Sequence, residues 1–298
     1  IENSIDAGAT RISLEIRKGG IGYIKVSDNG IGIAKTEAAL AFQRFATSKL
    51  TDSSDLDSIS TLGFRGEALP SIGAVSKVAL ITRPHSETSG TRIDVENGHV
   101  VSIAPAGSPP GTSVIVQHLF QNVPARRKFL RSEATETKRT QTLVSRYVLA
   151  YPEVRFDFTV EGKTVFTSTG SGQLADAITV VYGGKTTEQM LAITDPGQTQ
   201  EMDKVIVTGM TGPGSLSRAD RNHVSLFVNR RWIQNRMLGY AIQEAYHGLM
   251  KERRYPVAVL NINLPYQTVD VNVHPAKSEI RFANERQVFS VIQRVIRH

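Results

Sequence analysis

The stretch Asp28-Asn29-Gly30-Ile31-Gly32-Ile33 decides how the first half of this chain folds. It follows residues 23–27, in which apolar and polar side chains alternate with the period of a half-buried strand. A carboxylate at the end of a strand can accept a hydrogen bond from an exocyclic amine, and two glycines allow the backbone to approach a flat base closely. The stretch therefore predicts a base-binding pocket at a strand end.

The residues around this loop predict a mixture of helices and antiparallel strands. Residues 1–7 indicate the end of a helix stopped by Gly8, residues 11–16 and 23–27 indicate a hairpin, and Thr36 is expected to cap a helix that runs to Arg44. The other predicted strands are 78–82, 91–95, 99–103, 113–118, 155–160, 164–167, 204–210, 224–228 and 257–263. The other predicted helices are one beginning near Glu67, 133–150, 173–181, 236–251 and one from Glu285. Because strict βαβ alternation is missing, the fold class is predicted to be α+β.

The length of 298 residues predicts two domains. The flexible stretch Ser168-Thr169-Gly170-Ser171-Gly172 is the best linker, which places the domains at residues 1–170 and 173–298.

The composition excludes several classes of protein. With no cysteine, disulfide scaffolds, thiolate zinc sites, iron–sulfur clusters and cysteine nucleophiles are ruled out, and no HExxH pair is present among the histidines. No apolar run reaches the roughly 18 residues of a membrane span, so we expect a cytoplasmic protein. The net charge of +7 is compatible with a polyanionic partner. Because Ile1 is not an initiator methionine, we also expect an upstream segment.

Two partial phosphate-binding patterns are rejected on mechanism. Gly184-Lys185-Thr186 resembles the end of a P-loop, but the first glycine of that motif would fall at Thr179, after residues that look helical. Gly30-Ile31-Gly32 could begin a dinucleotide fingerprint, but its third glycine position is Lys35. A nicotinamide-dependent oxidoreductase is therefore a poor alternative.

Three further elements complete a different nucleotide site. Asn3, on the first helix, offers a neutral oxygen suited to Mg²⁺. The run Gly63-Phe64-Arg65-Gly66-Glu67-Ala68-Leu69 combines hinge glycines with a helix start that favours anions, as a lid over a polyphosphate requires. Gly111-Thr112 places a small hydroxyl residue at a strand start.

Taken in this order, the four elements resemble the nucleotide site of the GHKL ATPases, the family of DNA gyrase, Hsp90, histidine kinases and MutL. The runs from Ala46 to Lys49, from Asn122 to Leu130 and from Val269 to Lys277 narrow the resemblance to the MutL-type DNA mismatch repair proteins of bacteria. The resemblance implies a GHKL (Bergerat) ATPase α/β sandwich followed by a ribosomal-S5-like α/β domain.

The resemblance also implies residue roles. Asn3 would be the Mg²⁺ ligand, Asp28 would recognise adenine, and Lys277 would reach the γ-phosphate of ATP from the second domain. The full implied set of nucleotide contacts is Asn3, Asp6, Ala7, Asp28, Gly32, Ile33, Ser48, Lys49, Gly63, Phe64, Arg65, Gly66, Glu67, Ala68, Leu69, Thr112 and Lys277.

The basic residues Arg126, Arg127 and Lys128 are expected to neutralise DNA phosphates, as are Arg230 and Arg231. The family usually has glycine in place of Arg230, which puts the geometry of that turn in question. By resemblance, ATP orders the lid, the lid supports a homodimer that retains DNA, and MutS and a downstream nuclease or helicase act beside it near the nucleoid.

In the family the general base is a glutamate one helical turn before the Mg²⁺ asparagine, which lies upstream of Ile1. Glu2 points about 100° away from Asn3 and cannot replace it. We therefore expect the full-length protein to be a slow Mg²⁺-dependent ATPase, and this chain alone to bind ATP poorly and to hydrolyse it negligibly. The alternatives are another GHKL enzyme, such as a type II topoisomerase ATPase subunit, and a non-hydrolysing DNA clamp.

Overall fold

The computed structural model describes residues 1–43, 62, 66–194, 205–270 and 280–297. These divide into two compact units, of which the first comprises Ile1–Val148 and Glu153–Gly172 and the second comprises Leu149–Pro152 and Gln173–His298. Both contain helices and mainly antiparallel strands, so the predicted α+β class is confirmed. The assignment of 1–170 and 173–298 to two named domains stays a prediction.

A mixed sheet forms the centre of the first unit. Its strands are β1 (Arg11–Arg17), β2 (Tyr23–Asp28), β3 (Lys77–Arg83), β4 (Gly90–Glu96), β5 (His99–Ala106), β6 (Gly111–Gln117), β7 (Arg155–Val160) and β8 (Lys163–Thr167). Within the described part of the chain their order is β5-β4-β3-β6-β2-β1-β7-β8, and only β1 and β7 pair in parallel. Strand β6 connects β2 to β3 through antiparallel ladders. The end of β2 therefore lies beside the start of β6.

Five helices accompany this sheet in the described residues. They are α1 (Glu2–Asp6), α2 (Lys35–Ala38), α3 (Ala68–Gly73), α4 (Pro124–Arg127) and α5 (Glu133–Ala150). Alternate residues of β3 and β4 are buried, including Leu80 and Ile93, and the hydrophobic residues Leu69 and Ile72 pack against this core. Hydrophobic burial thus fixes α3 on the sheet.

The helix predicted from Thr36 is wrong in its start and its length. The Ala34 carbonyl accepts the N–H groups of Glu37 and Ala38, so α2 begins at Lys35 and Thr36 is not its cap. A separate 3₁₀ turn follows at Leu40–Phe42.

A mixed sheet also forms the centre of the second unit. Its strands are β9 (Leu191–Thr194), β10 (Ile206–Thr211), β12 (Val224–Val228), β13 (Arg231–Ile233) and β15 (Ala258–Asn263), in the order β13-β12-β15-β10-β9 within the described residues. Two short ribbons pair β11 (Ser217–Arg218) with β14 (Tyr255–Pro256) and β16 (Val269–Asp270) with β17 (Arg281–Phe282). The helices described in this unit are α6 (Leu174–Tyr182), α7 (Gly184–Thr187), α8 (Arg236–Ala245) and α9 (Glu285–Arg297).

Two sequence predictions in the second unit are tested by these bounds. The helix predicted over 236–251 is too long, because α8 ends at Ala245 and the buried Tyr246 follows as its C-cap residue. Gly248 then adopts a left-handed φ of 80°, which turns the chain. The rejection of a P-loop at Gly184-Lys185-Thr186 is confirmed, because α7 follows a helix rather than a strand.

No helix in the described residues is long and apolar enough to span a membrane.

Candidate functional site

The carboxylate of Asp28, the last residue of β2, joins three parts of the first unit. Its Oδ2 accepts from the Ser4 hydroxyl of α1 at 2.7 Å, and its Oδ1 accepts from the backbone N–H groups of Gly30 (3.0 Å) and Thr112 (3.2 Å). An ionised carboxylate has about four lone-pair positions. Among the described residues, three donors occupy three of them, so Oδ2 keeps one acceptor position for an external N–H group.

The loop after Asp28 is seated by backbone contacts that require glycine. The Ile31 N–H donates to the Ala7 carbonyl at 3.1 Å, which ties the loop to the end of α1. Gly32 has a left-handed φ of 73°, and a Cβ atom there would lie 2.4 Å from the Arg83 carbonyl oxygen. Any side chain at position 32 would push the loop off β3.

The buried hydroxyl of Thr82 fixes the far side of the loop. Thr82 is fully buried near the end of β3, and its Oγ1 accepts from the Ile33 N–H at 2.8 Å. The same oxygen hydrogen-bonds the Thr112 hydroxyl at 3.0 Å and donates to the Gly111 carbonyl at 3.2 Å. The loop is therefore held from α1 on one side and from β3 and β6 on the other.

Sequence reasoning missed both Ser4 and Thr82. Both are buried hydroxyl residues: Ser4 of α1 is 4% exposed, and Thr82 continues the buried face of Val78 and Leu80 on β3. A hydroxyl on a buried strand face needs a partner, and that requirement was the available signal.

The predicted contacts on α1 lie beside this network. Asn3 directly precedes Ser4, and Asp6 Oδ1 accepts from the Leu62 N–H at 3.1 Å. The neutral amide oxygen of Asn3 suits a hard cation that also keeps water and phosphate ligands. The structure thus brings Asp6, Ala7, Asp28, Gly32, Ile33 and Thr112 together, with Asn3 on the same short helix.

The predicted lid is only partly described. Ser48, Lys49, Gly63, Phe64, Arg65 and Lys277 lie outside the described residues. Gly66 has a left-handed φ of 60°, and Glu67 occupies the N-cap position of α3. Leu69 packs against the sheet core, so its side chain has a structural role.

The basic residues of the first unit are accessible to a partner. Arg126, Arg127 and Lys128 are exposed at the end of α4, and Phe129 beside them is 84% exposed. An exposed aromatic ring within a basic run was also missed at the sequence level.

Among the predicted DNA-binding cations, Arg230 lies in a tight turn of the second unit and contacts other residues of the chain. Asn229 and Arg230 have positive φ values of 46° and 67°, which indicates a type I′ turn between β12 and β13. Arg230 Nε donates to the Ala150 carbonyl at 3.0 Å, and its guanidinium lies 4.3 Å from the centre of the Tyr151 ring. The question raised by the absent glycine is thus answered: arginine adopts the left-handed conformation, and side-chain contacts hold it there.

Comparison with known proteins shows which family the chain belongs to. Residues 1–108 match the family described as histidine kinase-, DNA gyrase B-, and HSP90-like ATPase, and residues 178–298 match the family described as DNA mismatch repair protein, C-terminal domain. The DNA mismatch repair protein MutL of Desulforudis audaxviator is 45% identical over 297 residues, which cover 100% of this chain and 52% of that protein. MutL of Desulforamulus reducens is 44% identical over 288 residues, which cover 97% of this chain and 44% of that protein.

A solved structure gives the same assignment. The Aquifex aeolicus MutL ATPase domain complexed with ADP aligns with a TM-score of 0.67 and 28% identity, covering 89% of this chain and 88% of that chain. The chain spans about half the length of the curated relatives it matches. The chain therefore belongs to the MutL family of DNA mismatch repair proteins and contains the GHKL ATPase domain of that family.

Proposed function

We propose that the whole protein binds ATP with Mg²⁺ at the site on this chain and hydrolyses it slowly to control a DNA-bound dimer in mismatch repair. The observation that carries the proposal is the Asp28 carboxylate, which three internal donors orient while one acceptor position stays open. An exocyclic amine of adenine is a donor that fits this position.

The residues around Asp28 have different proposed roles in nucleotide binding. Asp28 accepts from the base, and Thr112 orients Asp28 through its backbone N–H. The Gly32 backbone lines the base because no side chain fits there. Asn3 would hold Mg²⁺, which would offset the negative charge of the nucleotide phosphates.

The lid and the second unit supply the proposed response to ATP. The amides of residues 63–69 would wrap the phosphates, with Ser48 and Lys49 as further contacts, and Lys277 would sense the γ-phosphate as a point charge. ADP lacks that group, so lid order and dimerisation would depend on which nucleotide is bound. The general base is proposed to lie one helical turn before Asn3 in the whole protein.

DNA is the proposed macromolecular substrate. Arg126, Arg127 and Lys128 would contact phosphates largely without regard to sequence. Arg230 and Arg231 stay in the proposed set, although the contacts of Arg230 with Ala150 and Tyr151 leave fewer of its donors for DNA. A homodimer, MutS and a downstream nuclease or helicase are the proposed partners, in the bacterial cytoplasm beside the nucleoid.

The variant Asp28→Asn tests the nucleotide site. Oδ1 accepts two backbone N–H groups, so the amide oxygen should stay there and the NH₂ group should replace Oδ2. That group donates where adenine also donates, so ATP affinity should fall about 30-fold or more while the fold is kept.

The assay is calorimetric titration of the full-length protein with ATP and Mg²⁺, and Asp94→Asn is the matched control. Asp94 pairs with Arg92 on the exposed face of β4, so the control makes the same charge change outside the site. Equal ATP affinities of the two variants would contradict the proposal. If wild type in its full-length form bound DNA but no ATP, the non-hydrolysing clamp would be the better explanation.

A further inference from the structure

The second unit holds a cluster of cations that the nucleotide site does not use. Residues 217–223 and 251–255 contain five cations, Arg218, Arg221, Lys251, Arg253 and Arg254, against the two acids Asp220 and Glu252. The antiparallel β11–β14 ribbon brings these two segments together, with Arg218 opposite Tyr255.

Two arginines of this cluster converge on one carbonyl oxygen. Arg254 Nη2 donates to the Ser217 carbonyl at 2.7 Å, and Arg218 Nη1 donates to the same oxygen at 3.4 Å. Their remaining hydrogen bonds go to hydroxyl groups: Arg254 Nε to Ser217 Oγ at 3.3 Å and Arg218 Nη2 to Thr186 Oγ1 at 3.3 Å. In the described part of the chain neither guanidinium forms an ion pair with a carboxylate.

The positive charges of Arg218 and Arg254 are only weakly compensated by their hydrogen-bond partners. Two like charges held against one oxygen repel each other, and neutral acceptors compensate a guanidinium poorly compared with an anion. Each guanidinium has five N–H donors and uses two in the bonds above, so six donors of the pair stay available. Both side chains are partly exposed, so an anion can reach them.

The surrounding residues add to the same field. The contact of Arg218 with Thr186 brings Arg218 to α7, where the exposed cation Lys185 directly precedes Thr186. Arg221 lies over the Tyr255 ring at 4.9 Å, on the same ribbon. The positive charge of Arg218 also contributes to lowering the pKa of His223, although burial is the larger cause.

We propose that Arg218 and Arg254 form a phosphate-binding site, with Lys185 and Arg221 at its rim. A phosphate matches the planar, paired N–H donors of two guanidinium groups, and it supplies the charge that the pair lacks. The phosphate can belong to a DNA backbone or to a free phosphate ion, and the test separates these sources. None of these four residues belongs to the proposed nucleotide site.

The test compares three variants of the chain: Arg218→Gln with Arg254→Gln, Arg218→Lys with Arg254→Lys, and the control Arg286→Gln. Arg286 is an exposed cation of α9 in the same unit. The lysine variant keeps the charge but loses the guanidinium fork, so it separates charge-based binding from support of the ribbon. The probes are a short DNA duplex and inorganic phosphate.

The duplex arm is measured as affinity against salt concentration. Loss of two phosphate contacts lowers the slope of log K against log salt by about 1.8, so wild type should lose about 12-fold more affinity than the glutamine variant between about 50 and about 200 mM salt. The lysine variant should keep most of the wild-type slope. In the second arm, inorganic phosphate should raise the melting temperature of wild type and of Arg286→Gln but not that of the glutamine variant.

Each outcome decides the proposal. Loss in both arms, or in the duplex arm alone, supports a site for the DNA backbone, and loss of the phosphate effect alone supports a site for a free phosphate ion. If the glutamine variant behaves like Arg286→Gln in both arms, the proposal is overturned. Equal loss of binding and of thermal stability in the lysine and glutamine variants would also overturn it, because the arginines would then only support the ribbon.

Discussion

Replacement of Thr82 by valine tests whether one buried hydroxyl holds the base-binding loop. Valine has nearly the same shape as threonine, so the change removes the oxygen without opening a cavity. Three hydrogen bonds are lost, to Ile33, Thr112 and Gly111. The Thr112 hydroxyl is partly exposed and can turn to water, whereas the Ile33 N–H is fixed by the backbone and loses its partner.

The Ile33 N–H therefore sets the magnitude. An amide left without a partner costs about 1–3 kcal/mol when buried, and Ile33 is only partly buried, so we expect a loss of about 1–2 kcal/mol in the free energy of unfolding. Because the loop that carries Gly32 is released on that side, ATP affinity should fall as well.

The matched control is Thr91→Val. Thr91 is opposite Thr82 in the β3–β4 ladder and is also buried, but its hydroxyl makes no hydrogen bond among the described residues. We expect a change within about 0.5 kcal/mol for this variant. Urea unfolding followed by circular dichroism measures both, and hydrogen exchange of the Ile33 amide measures the local effect. Equal stabilities of the two variants, with unchanged exchange at Ile33, would refute the reasoning.

Three further predictions follow from other contacts. Gly32→Ala should destabilise the first unit by about 2–4 kcal/mol and abolish ATP binding, because its Cβ would meet the Arg83 carbonyl at a left-handed φ. Urea unfolding measures the loss against the control Gly107→Ala, where no atom lies within 4 Å of the new Cβ. Tyr246→Phe should cost about 1–2 kcal/mol, because the buried hydroxyl donates to the Gly212 carbonyl at 2.6 Å and bonds Thr211. Burial raises the pKa of Tyr246, so the phenol ionises first in the unfolded state and wild-type stability should fall as the pH rises above 10.0. The difference in the free energy of unfolding between wild type and Tyr246→Phe should therefore shrink over that pH range. A constant difference would contradict the prediction. Burial, with a smaller effect of Arg218, lowers the pKa of His223, so the unfolded state takes up a proton first and stability should fall as the pH drops below 6.5. In thermal melts, this fall should be weaker for His223→Gln than for wild type or for the exposed control His247→Gln.

Local sequence patterns predicted the elements whose signals are local. The polar helix over 133–150 has the predicted bounds, and the strands of the first sheet fall within two or three residues of the alternating segments. The prediction was wrong at Thr36, because capping depends on which carbonyl accepts the first amides, and Ala34 does so.

The sequence by itself determined the α+β class and pointed to Asp28 and Gly32, because residue chemistry and glycine turns can be read along the chain. It pointed to Thr112 only through the resemblance to the GHKL ATPases. Only the tertiary structure decided how they are held, since the partners are distant in sequence: Ser4 is 24 residues from Asp28, Thr82 is 30 from Thr112, and Ser217 is 37 from Arg254. A hydroxyl or an arginine carries no local sign of the partner that folding brings to it. Strand pairing chooses that partner, and the pairing of β11 with β14 brings Arg218 and Arg254 to the same carbonyl oxygen.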